Sequence, residues 1–136
     1  MPELKLKAVV ESIPEATAFI NGKLEELACS AKARLQINVA IDELVCNIAR
    51  YAYGKDAGDV TIQFDYDRET GMASISFMDS GIPFNPLEKS DPDISLPAAE
   101  REIGGLGIFL VRKTMDKMDY RYENGMNILT ISKKII

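Results

Sequence analysis

The sequence of 136 residues contains 46% apolar and 27% charged residues, which is typical of a folded globular domain. Its formal net charge of −5 argues against direct nucleic-acid binding, which depends on a concentrated basic surface. Because the chain has no histidine, it cannot supply a Ser-His-Asp triad, a histidine metal site or a phospho-accepting histidine. We expect a single domain over residues 1–136.

The first half of the chain predicts one strand followed by two helices. Residues 3–10 alternate like a strand, and Ser12 to Glu15 has the pattern of a capping box that opens a helix to about Cys29. Ser30 is placed to cap a second helix over about residues 31–53, which Gly54 would end. The apolar residues expected on its buried face are Leu35, Val39, Val45, Ile48, Ala49 and Ala52.

The second half predicts two hairpins separated by a long loop and a helix. Residues 60–65 and 72–78 alternate with period two on either side of a turn. Residues 82–102 include four prolines and lack periodicity, which indicates a functional or mobile loop before the third helix. Asn124-Gly125 is the strongest short hairpin signal in the chain. The order β-α-α-β-β-loop-α-β-β predicts an α+β two-layer α/β sandwich, with helices packed on one face of a mixed, mostly antiparallel sheet.

The expected location is the cytoplasm, without membrane contact. Residues 1–10 lack the basic and apolar regions of a signal peptide. No apolar run approaches membrane-spanning length. Cys29 and Cys46 belong to no metal-binding pattern and are interpreted as reduced, packed thiols.

Two polar residues of the second helix could form part of a phosphate site. Glu43 and Asn47 are four residues apart, so their side chains lie on one face of the helix. A carboxamide oxygen suits Mg²⁺, and a carboxylate one turn earlier could position or deprotonate a hydroxyl group or a water. The alternative is a solvated glutamate beside an asparagine that makes local hydrogen bonds.

Asp79 follows an alternating strand and could accept a hydrogen bond from an exocyclic amine such as that of adenine. Gly81 would then let the backbone pass close to a flat ring. The alternative is an Asp-Ser-Gly turn in which Asp79 caps its own loop.

Gly104, Gly105 and Gly107 directly precede the third helix, and amides at a helix N-terminus attract phosphate. Their spacing is not that of a P-loop and no lysine follows, so Arg101 is the nearest candidate for a phosphate-binding charge. The alternative is a flexible hinge.

Together, these segments resemble the ATP-binding boxes of the GHKL ATPase superfamily. Residues 40–53 (AIDELVCNIARYAY) look like its N box, residues 78–84 (MDSGIPF) like its first glycine box, and residues 104–111 (GGLGIFLV) like its second. The short length and the run through Met115-Asp116 are most similar to the anti-sigma-factor serine kinases. The resemblance extends over nearly the whole chain.

The resemblance implies a Bergerat ATP-binding fold that uses ATP and Mg²⁺. Members phosphorylate a serine of an anti-anti-sigma (STAS-like) partner and bind a sigma factor, often as homodimers. By position, Glu43 would be the general base, Asn47 the Mg²⁺ ligand and Asp79 the adenine acceptor. The other implied nucleotide contacts are Gly81 under the adenine, Gly104, Gly105 and Gly107 as the lid hinge, and Arg101 in the lid.

The sequence departs from the family pattern at two points. The family usually has Gly-Thr at the start of the last strand, with the threonine near the adenine-binding aspartate. Here Gly125 is followed by Met126 and Asn127, and Thr130 lies too far along to substitute. Tyr51 occupies a position where relatives often have histidine.

Three alternatives to an ATP-dependent serine kinase remain open. The chain could be a non-catalytic nucleotide-binding module that sequesters its partner. It could also be a detached sensor-kinase catalytic domain, which the short lid and the absence of histidine disfavour. The last alternative is an α+β domain that binds no nucleotide.

Overall fold

The computed structural model describes residues 2–53, 58–88 and 105–135. The elements follow the predicted order, and Gly54 and residues 89–104 lie outside the described residues. The strands and helices are β1 (Glu3–Lys7), α1 (Ile13–Glu26), α2 (Ala31–Tyr51), β2 (Asp59–Asp67), β3 (Met72–Asp79), α3 (Gly105–Thr114), β4 (Lys117–Glu123) and β5 (Met126–Lys134). Short 3-10 turns occur at Val10–Ser12 and Pro86–Glu88.

The five strands form one sheet in the order β1-β2-β3-β5-β4, and every neighbouring pair is antiparallel. The prediction of a mixed sheet is therefore corrected among the described strands. The chain passes from β3 through α3 to β4, and these two strands run parallel. They are not neighbours because β5 lies between them. The α+β sandwich with a mostly antiparallel sheet is confirmed.

One face of the sheet packs against the helices and forms a single core. Alternate residues of the central strands are buried there, including Ile62, Ile75, Phe77 and Ile131. On the opposite face, small hydroxyl side chains pair across β3 and β5: Ser74 with Ser132 at 2.9 Å and Ser76 with Thr130 at 2.8 Å. The three described helices therefore pack on one side of the sheet, as predicted.

The starts of α1 and α2 differ. Ser30 caps α2 as predicted, since its Oγ accepts a hydrogen bond from the Ala33 amide at 3.2 Å. The capping box predicted at Ser12 is wrong. Ser12 has helical dihedral angles and makes no capping hydrogen bond, because the turn Val10–Ser12 runs directly into α1.

The buried face of α2 is narrower than predicted. Ile37, Ile41 and Leu44 are at most 1% exposed and follow helical spacing. Leu35 is 65% exposed and Val39 is 49% exposed, so their assignment to the core was wrong. Each lies two residues from Ile37, which places it on the opposite side of the helix at about 100° per residue.

This correction predicts that two alanine substitutions on the same helix will have different effects. Ile37→Ala should lower the free energy of unfolding by about 2–5 kcal/mol, because it leaves a cavity in the core. Leu35→Ala should change it by less than about 0.5 kcal/mol. Urea denaturation of both variants measures the difference, and equal losses would contradict this assignment of the core face.

Candidate functional site

Helix α2 carries Glu43 and Asn47 at the edge of the core. Both side chains are half-buried, and Leu44 between them is fully buried. Glu43 lies against the first turns of α3. A Cβ atom added to Gly107 would be 2.1 Å from Glu43 Cδ and 2.2 Å from each carboxylate oxygen. The absence of a side chain at Gly107 is therefore what makes room for the Glu43 carboxylate.

The environment of Glu43 favours its protonated form more than water does. Burial raises the pKa of Glu43 above its ordinary value, the positive charge of Arg50 opposes this rise, and the negative charge of Asp42 adds to it. A carboxylate with a raised pKa binds a proton more strongly, which suits a group that accepts one.

A pocket lies between the C-terminal half of α2, the ends of β3 and β5, and residues 82–86. Its walls are mainly apolar, and its polar side chains include Asn47, Asp79 and Asn127. Tyr51 and Phe84 line it as an aromatic pair, with ring centroids 5.8 Å apart and planes inclined by 31°. The apolar walls include Ile48, Phe77, Ile82 and Leu129.

Asp79 ends β3 inside this pocket and is 5% exposed. Its Oδ1 accepts hydrogen bonds from the Gly81 amide and from Asn127 Nδ2, both at 2.9 Å. Among the described residues, no hydrogen bond reaches Asp79 Oδ2. Burial raises the pKa of Asp79, while the bonds from Asn127 and Gly81 oppose the rise. The self-capping turn considered above is thus present, but it uses only one carboxylate oxygen.

The segment after Asp79 is fixed to the end of α2. The Ile82 amide donates to the Ala52 carbonyl at 2.9 Å, and a Cβ added to Gly81 would be 2.2 Å from that same oxygen. Tyr53 adds a second link, since its hydroxyl donates to the Asp59 carbonyl at 2.6 Å and accepts from the Ser80 amide at 2.9 Å. These contacts hold the Asp79 turn against the helix that carries Glu43 and Asn47.

Asn127 is a further residue of the pocket, which the sequence pattern did not predict as part of the site. It lies directly opposite Asp79 in the pairing of β3 with β5 and is 5% exposed. Its side chain contacts Asp79, Ile82, Phe84 and Tyr120 through hydrogen bonds. A signal was present in the sequence, because Asn127 interrupts an alternating series in which Leu129 and Ile131 are buried.

The structure brings together most of the predicted site residues that it describes. Glu43 contacts Gly107, while Asn47 and Asp79 line one pocket. Gly81 lies against Ala52, which lines that pocket, and Gly105 begins α3. Arg101 and Gly104 lie outside the described residues.

Two structural features are absent from the described residues. No three histidine, cysteine or acidic residues are grouped closely enough there to hold a metal ion by themselves. Nor does any described helix have both the length and the hydropathy required to span a membrane.

Residues 6–133 match the sequence profile of a family described as the histidine kinase-like ATPase domain. The chain belongs to this family of ATPase domains, which confirms the GHKL resemblance. It is also similar over most of its length to serine-protein kinases called RsbW. It is 30% identical over 133 residues to RsbW of Bacillus cereus strain B4264 and 28% identical over 131 residues to RsbW of Bacillus mycoides. Each alignment covers 93% of this chain and 81% of the relative.

Solved structures support the same fold. The RsbU and RsbW domains of a Mycobacterium tuberculosis protein match with a TM-score of 0.68 and 16% identity. That match covers 99% of this chain, which spans 33% of the solved chain. The histidine kinase domain of a blue-light activated kinase from Erythrobacter litoralis matches 76% of this chain with a TM-score of 0.55 and 14% identity.

The contacts of three glycines predict a graded response to alanine. Gly81→Ala should lower the free energy of unfolding by about 1–3 kcal/mol, because its Cβ meets the rigid Ala52 backbone. Gly107→Ala meets only the end of the flexible Glu43 side chain, so stability should change little while the carboxylate moves.

Gly22→Ala on α1 is the matched control, since nothing lies within 4 Å of its added Cβ. It should stabilise the protein by about 0.5–1 kcal/mol through helix propensity. Denaturation curves of the three variants test the order, which would be contradicted if Gly81→Ala were as stable as Gly22→Ala.

Proposed function

We propose that this protein is an ATP- and Mg²⁺-dependent serine kinase that phosphorylates a small anti-anti-sigma (STAS-like) partner in a partner-switching pathway. The observation that carries the proposal is the position of the half-buried Glu43 carboxylate. It lies against Gly107 at the start of α3 and one helical turn from Asn47. The serine-protein kinase names of the RsbW relatives support the same activity.

The pocket has the chemistry expected of an adenine site. A purine is flat and largely apolar, which suits walls that include Phe77, Ile82 and Leu129. The exocyclic amine of adenine is a hydrogen-bond donor, and Asp79 Oδ2 is an acceptor that faces no donor among the described residues. Gly81 would pass beneath the ring.

Asn47 is the residue that would bind Mg²⁺. Its carboxamide oxygen is a neutral, hard ligand, and Asn47 lines the same pocket as Asp79. Mg²⁺ commonly keeps several waters and uses phosphate oxygens, so one amide ligand is adequate. When bound, the ion would neutralise charge on the phosphates.

Phosphoryl transfer would proceed as a balanced displacement at the γ-phosphorus. The serine hydroxyl oxygen of the partner forms a bond to phosphorus while the bond from phosphorus to the ADP oxygen breaks. Glu43 accepts the hydroxyl proton, and the products are ADP and phosphoserine. By the family resemblance, Gly104, Gly105 and Gly107 would form the lid hinge beside the phosphates, and Arg101 would belong to the lid.

The remaining features of the proposal come from the family resemblance. We expect residues 1–136 to form one kinase domain in the cytoplasm. The protein would bind a sigma factor in addition to its STAS-like substrate and could act as a homodimer.

The full chain, incubated with ATP labelled at the γ-phosphate, Mg²⁺ and a STAS-domain protein from the same genome, tests the proposal. We expect label on one serine of the partner, located by mass spectrometry. A protein that binds ATP and the partner yet transfers no label would be a sequestering module and would overturn the kinase assignment.

Glu43→Gln should separate catalysis from binding. Because the amide cannot accept the serine proton, the rate of transfer should fall by about 10²–10⁴-fold while ATP affinity is retained. Glu25→Gln, an exposed position on α1, removes the same charge as a control and should leave the rate unchanged. Unchanged transfer in Glu43→Gln would show that another group takes the proton.

The transfer rate should also depend on pH in a defined direction. The pKa of Glu43 is raised by burial, so lowering the pH through this raised value protonates the base and reduces the rate. Single-turnover rates at saturating ATP between about pH 5 and 8 measure this effect. A flat profile would contradict the assignment of Glu43 as base.

The raised pKa of Glu43 also makes the stability of the protein depend on pH, in the direction opposite to that of the transfer rate. The folded state binds the proton more tightly than the unfolded state, so the free energy of unfolding decreases as pH rises from the ordinary to the raised pKa. Glu43→Gln should remove this part of the pH dependence.

A further inference from the structure

We propose that Asn127 is a positioning residue that sets the base selectivity of the pocket by fixing Asp79 as a hydrogen-bond acceptor. This inference rests on the proposed function, because it assumes that the pocket receives the base of ATP. It assigns a role to Asn127, a residue outside the family's Gly-Thr pattern at the start of the last strand.

The side-chain amide of Asn127 uses its full hydrogen-bonding capacity. Its Nδ2 donates to Asp79 Oδ1 and to the Ile82 carbonyl, both at 2.9 Å. Its Oδ1 accepts from the Phe84 amide at 3.1 Å and from the Tyr120 hydroxyl. Two donors and two acceptor positions are thus matched by four partners from β3, β4 and the segment after β3.

These partners allow only one orientation of the amide. If the group were rotated by 180°, its oxygen would face the Asp79 carboxylate and the Ile82 carbonyl, which are both acceptors. Its nitrogen would face the Phe84 amide, which is a donor. Both contacts would be repulsive in a buried site, where unpaired polar groups are costly. The four partners therefore favour the orientation in which Asn127 presents an N–H group to an ionised Asp79.

The bond from Asn127 determines what Asp79 can recognise. Asn127 and the Gly81 amide both donate to Asp79 Oδ1, which leaves Asp79 Oδ2 to accept from a donor on the base. Both donors favour the ionised carboxylate and oppose the increase in its pKa caused by burial. An ionised carboxylate only accepts hydrogen bonds, so it binds the 6-amino group of adenine and repels the 6-carbonyl group of hypoxanthine.

Asn127 also occupies the correct face of β5, whereas Met126 does not. Asn127, Leu129 and Ile131 alternate on the buried face. Met126 lines a different pocket with Lys5 and Met78. Met126 stands where the family usually has threonine, but Asp79 still has a hydrogen-bond partner on β5. That partner is the next residue, Asn127.

The test compares ATP and ITP binding to the full-length protein with Mg²⁺ by isothermal titration calorimetry. ITP carries a carbonyl group where ATP has the 6-amino group. In Asn127→Leu, Asp79 loses a donor and is more readily protonated, so it can donate to the carbonyl of ITP. We expect ATP affinity to fall by about 10–100-fold, as for loss of a hydrogen bond to a charged group, and the preference for ATP over ITP to narrow.

Asn127→Asp provides a second variant of nearly identical shape. At low pH, one proton shared between Asp79 and the introduced carboxyl group supplies the missing hydrogen-bond donor. At higher pH this proton is lost, and two negative charges lie side by side. ATP affinity should therefore fall as pH rises through the titration of this pair. The other titratable side chains that line the two pockets around Asp79 are Tyr51, Tyr53, Tyr120, Lys5 and Asp59. The wild type contains the same five residues, so its pH profile in the same buffers shows their contribution.

Thr130→Val is the matched control. It removes the hydroxyl pair with Ser76, which also links β3 to β5 but lies on the opposite face of the sheet. Its ATP affinity, ATP preference and pH profile should equal those of the wild type. Equal changes in Thr130→Val and Asn127→Leu would show a purely structural role and overturn the inference.

The remaining outcomes separate this inference from the proposed function. If the wild type prefers ATP and both Asn127 variants retain that preference with a flat pH profile, the inference alone fails. If the wild type binds neither nucleotide, the inference and the proposed function fail together. A narrowed preference with normal affinity for the STAS-like partner supports the inference even where transfer is absent.

Discussion

The pairing of β3 with β5 is the constraint on which the rest of the site depends. β5 enters between β3 and β4, so the last strand of the chain lies beside the strand that ends at Asp79. The register then places Asn127 opposite Asp79. A shift of one residue would turn Met126 into the pocket and Asn127 away from it, because side chains alternate between faces. The apolar series that contains Leu129 and Ile131 prevents this shift, since the same slip would expose both of them to solvent.

Helix α2 connects this end of the site to the proposed catalytic end. Its buried stripe of Ile37, Ile41 and Leu44 fixes its rotation on the sheet, and that rotation places Glu43 and Asn47 at the boundary of the core. Its C-terminal end is held to the Asp79 turn through the Ala52 carbonyl and Tyr53. The distance between the proposed adenine pocket and Glu43 is therefore set by one helix, whose hydrogen bonds make it stiff along its axis.

The sequence predicted the order of elements, the fold class and both hairpins, because alternation and turn residues are local signals. The hairpin at Asn124 and Gly125 is an example, since both residues have the positive φ angles that this pair favours. The start of α1 and the rotation of α2 were predicted less well. Ser12 precedes a helix as a capping residue would, but the preceding 3-10 turn supplies the first helical residues. Leu35 and Val39 are apolar, but both are exposed. Which face of α2 is buried depends on its packing against the sheet, and that packing cannot be read from the helix sequence alone.

The candidate site was predictable where it depends on spacing within one element. The distance of four residues from Glu43 to Asn47 is such a case. The contacts between site residues on different elements could not be predicted from such spacing. The packing of Glu43 on Gly107 joins residues 64 positions apart in the chain, and the bond between Asp79 and Asn127 joins residues 48 positions apart. Such contacts follow from strand order and helix packing, which no local pattern contains.

The two proposed site acids, Asp79 and Glu43, differ in what opposes the effect of burial on their pKa. Both are partly removed from water, and burial raises the pKa of each. At Asp79 two N–H donors oppose this effect, which favours an ionised acceptor suited to recognition. At Glu43 the opposing influence is the charge of Arg50, a residue exposed to solvent, and solvent screens such a charge. Burial is thus the largest influence on both carboxyls and raises the pKa of each, but it is opposed by hydrogen bonds at Asp79 and by a charge at Glu43. Under the proposed function, Asp79, which accepts two N–H donors, would serve recognition, and Glu43 would serve proton transfer.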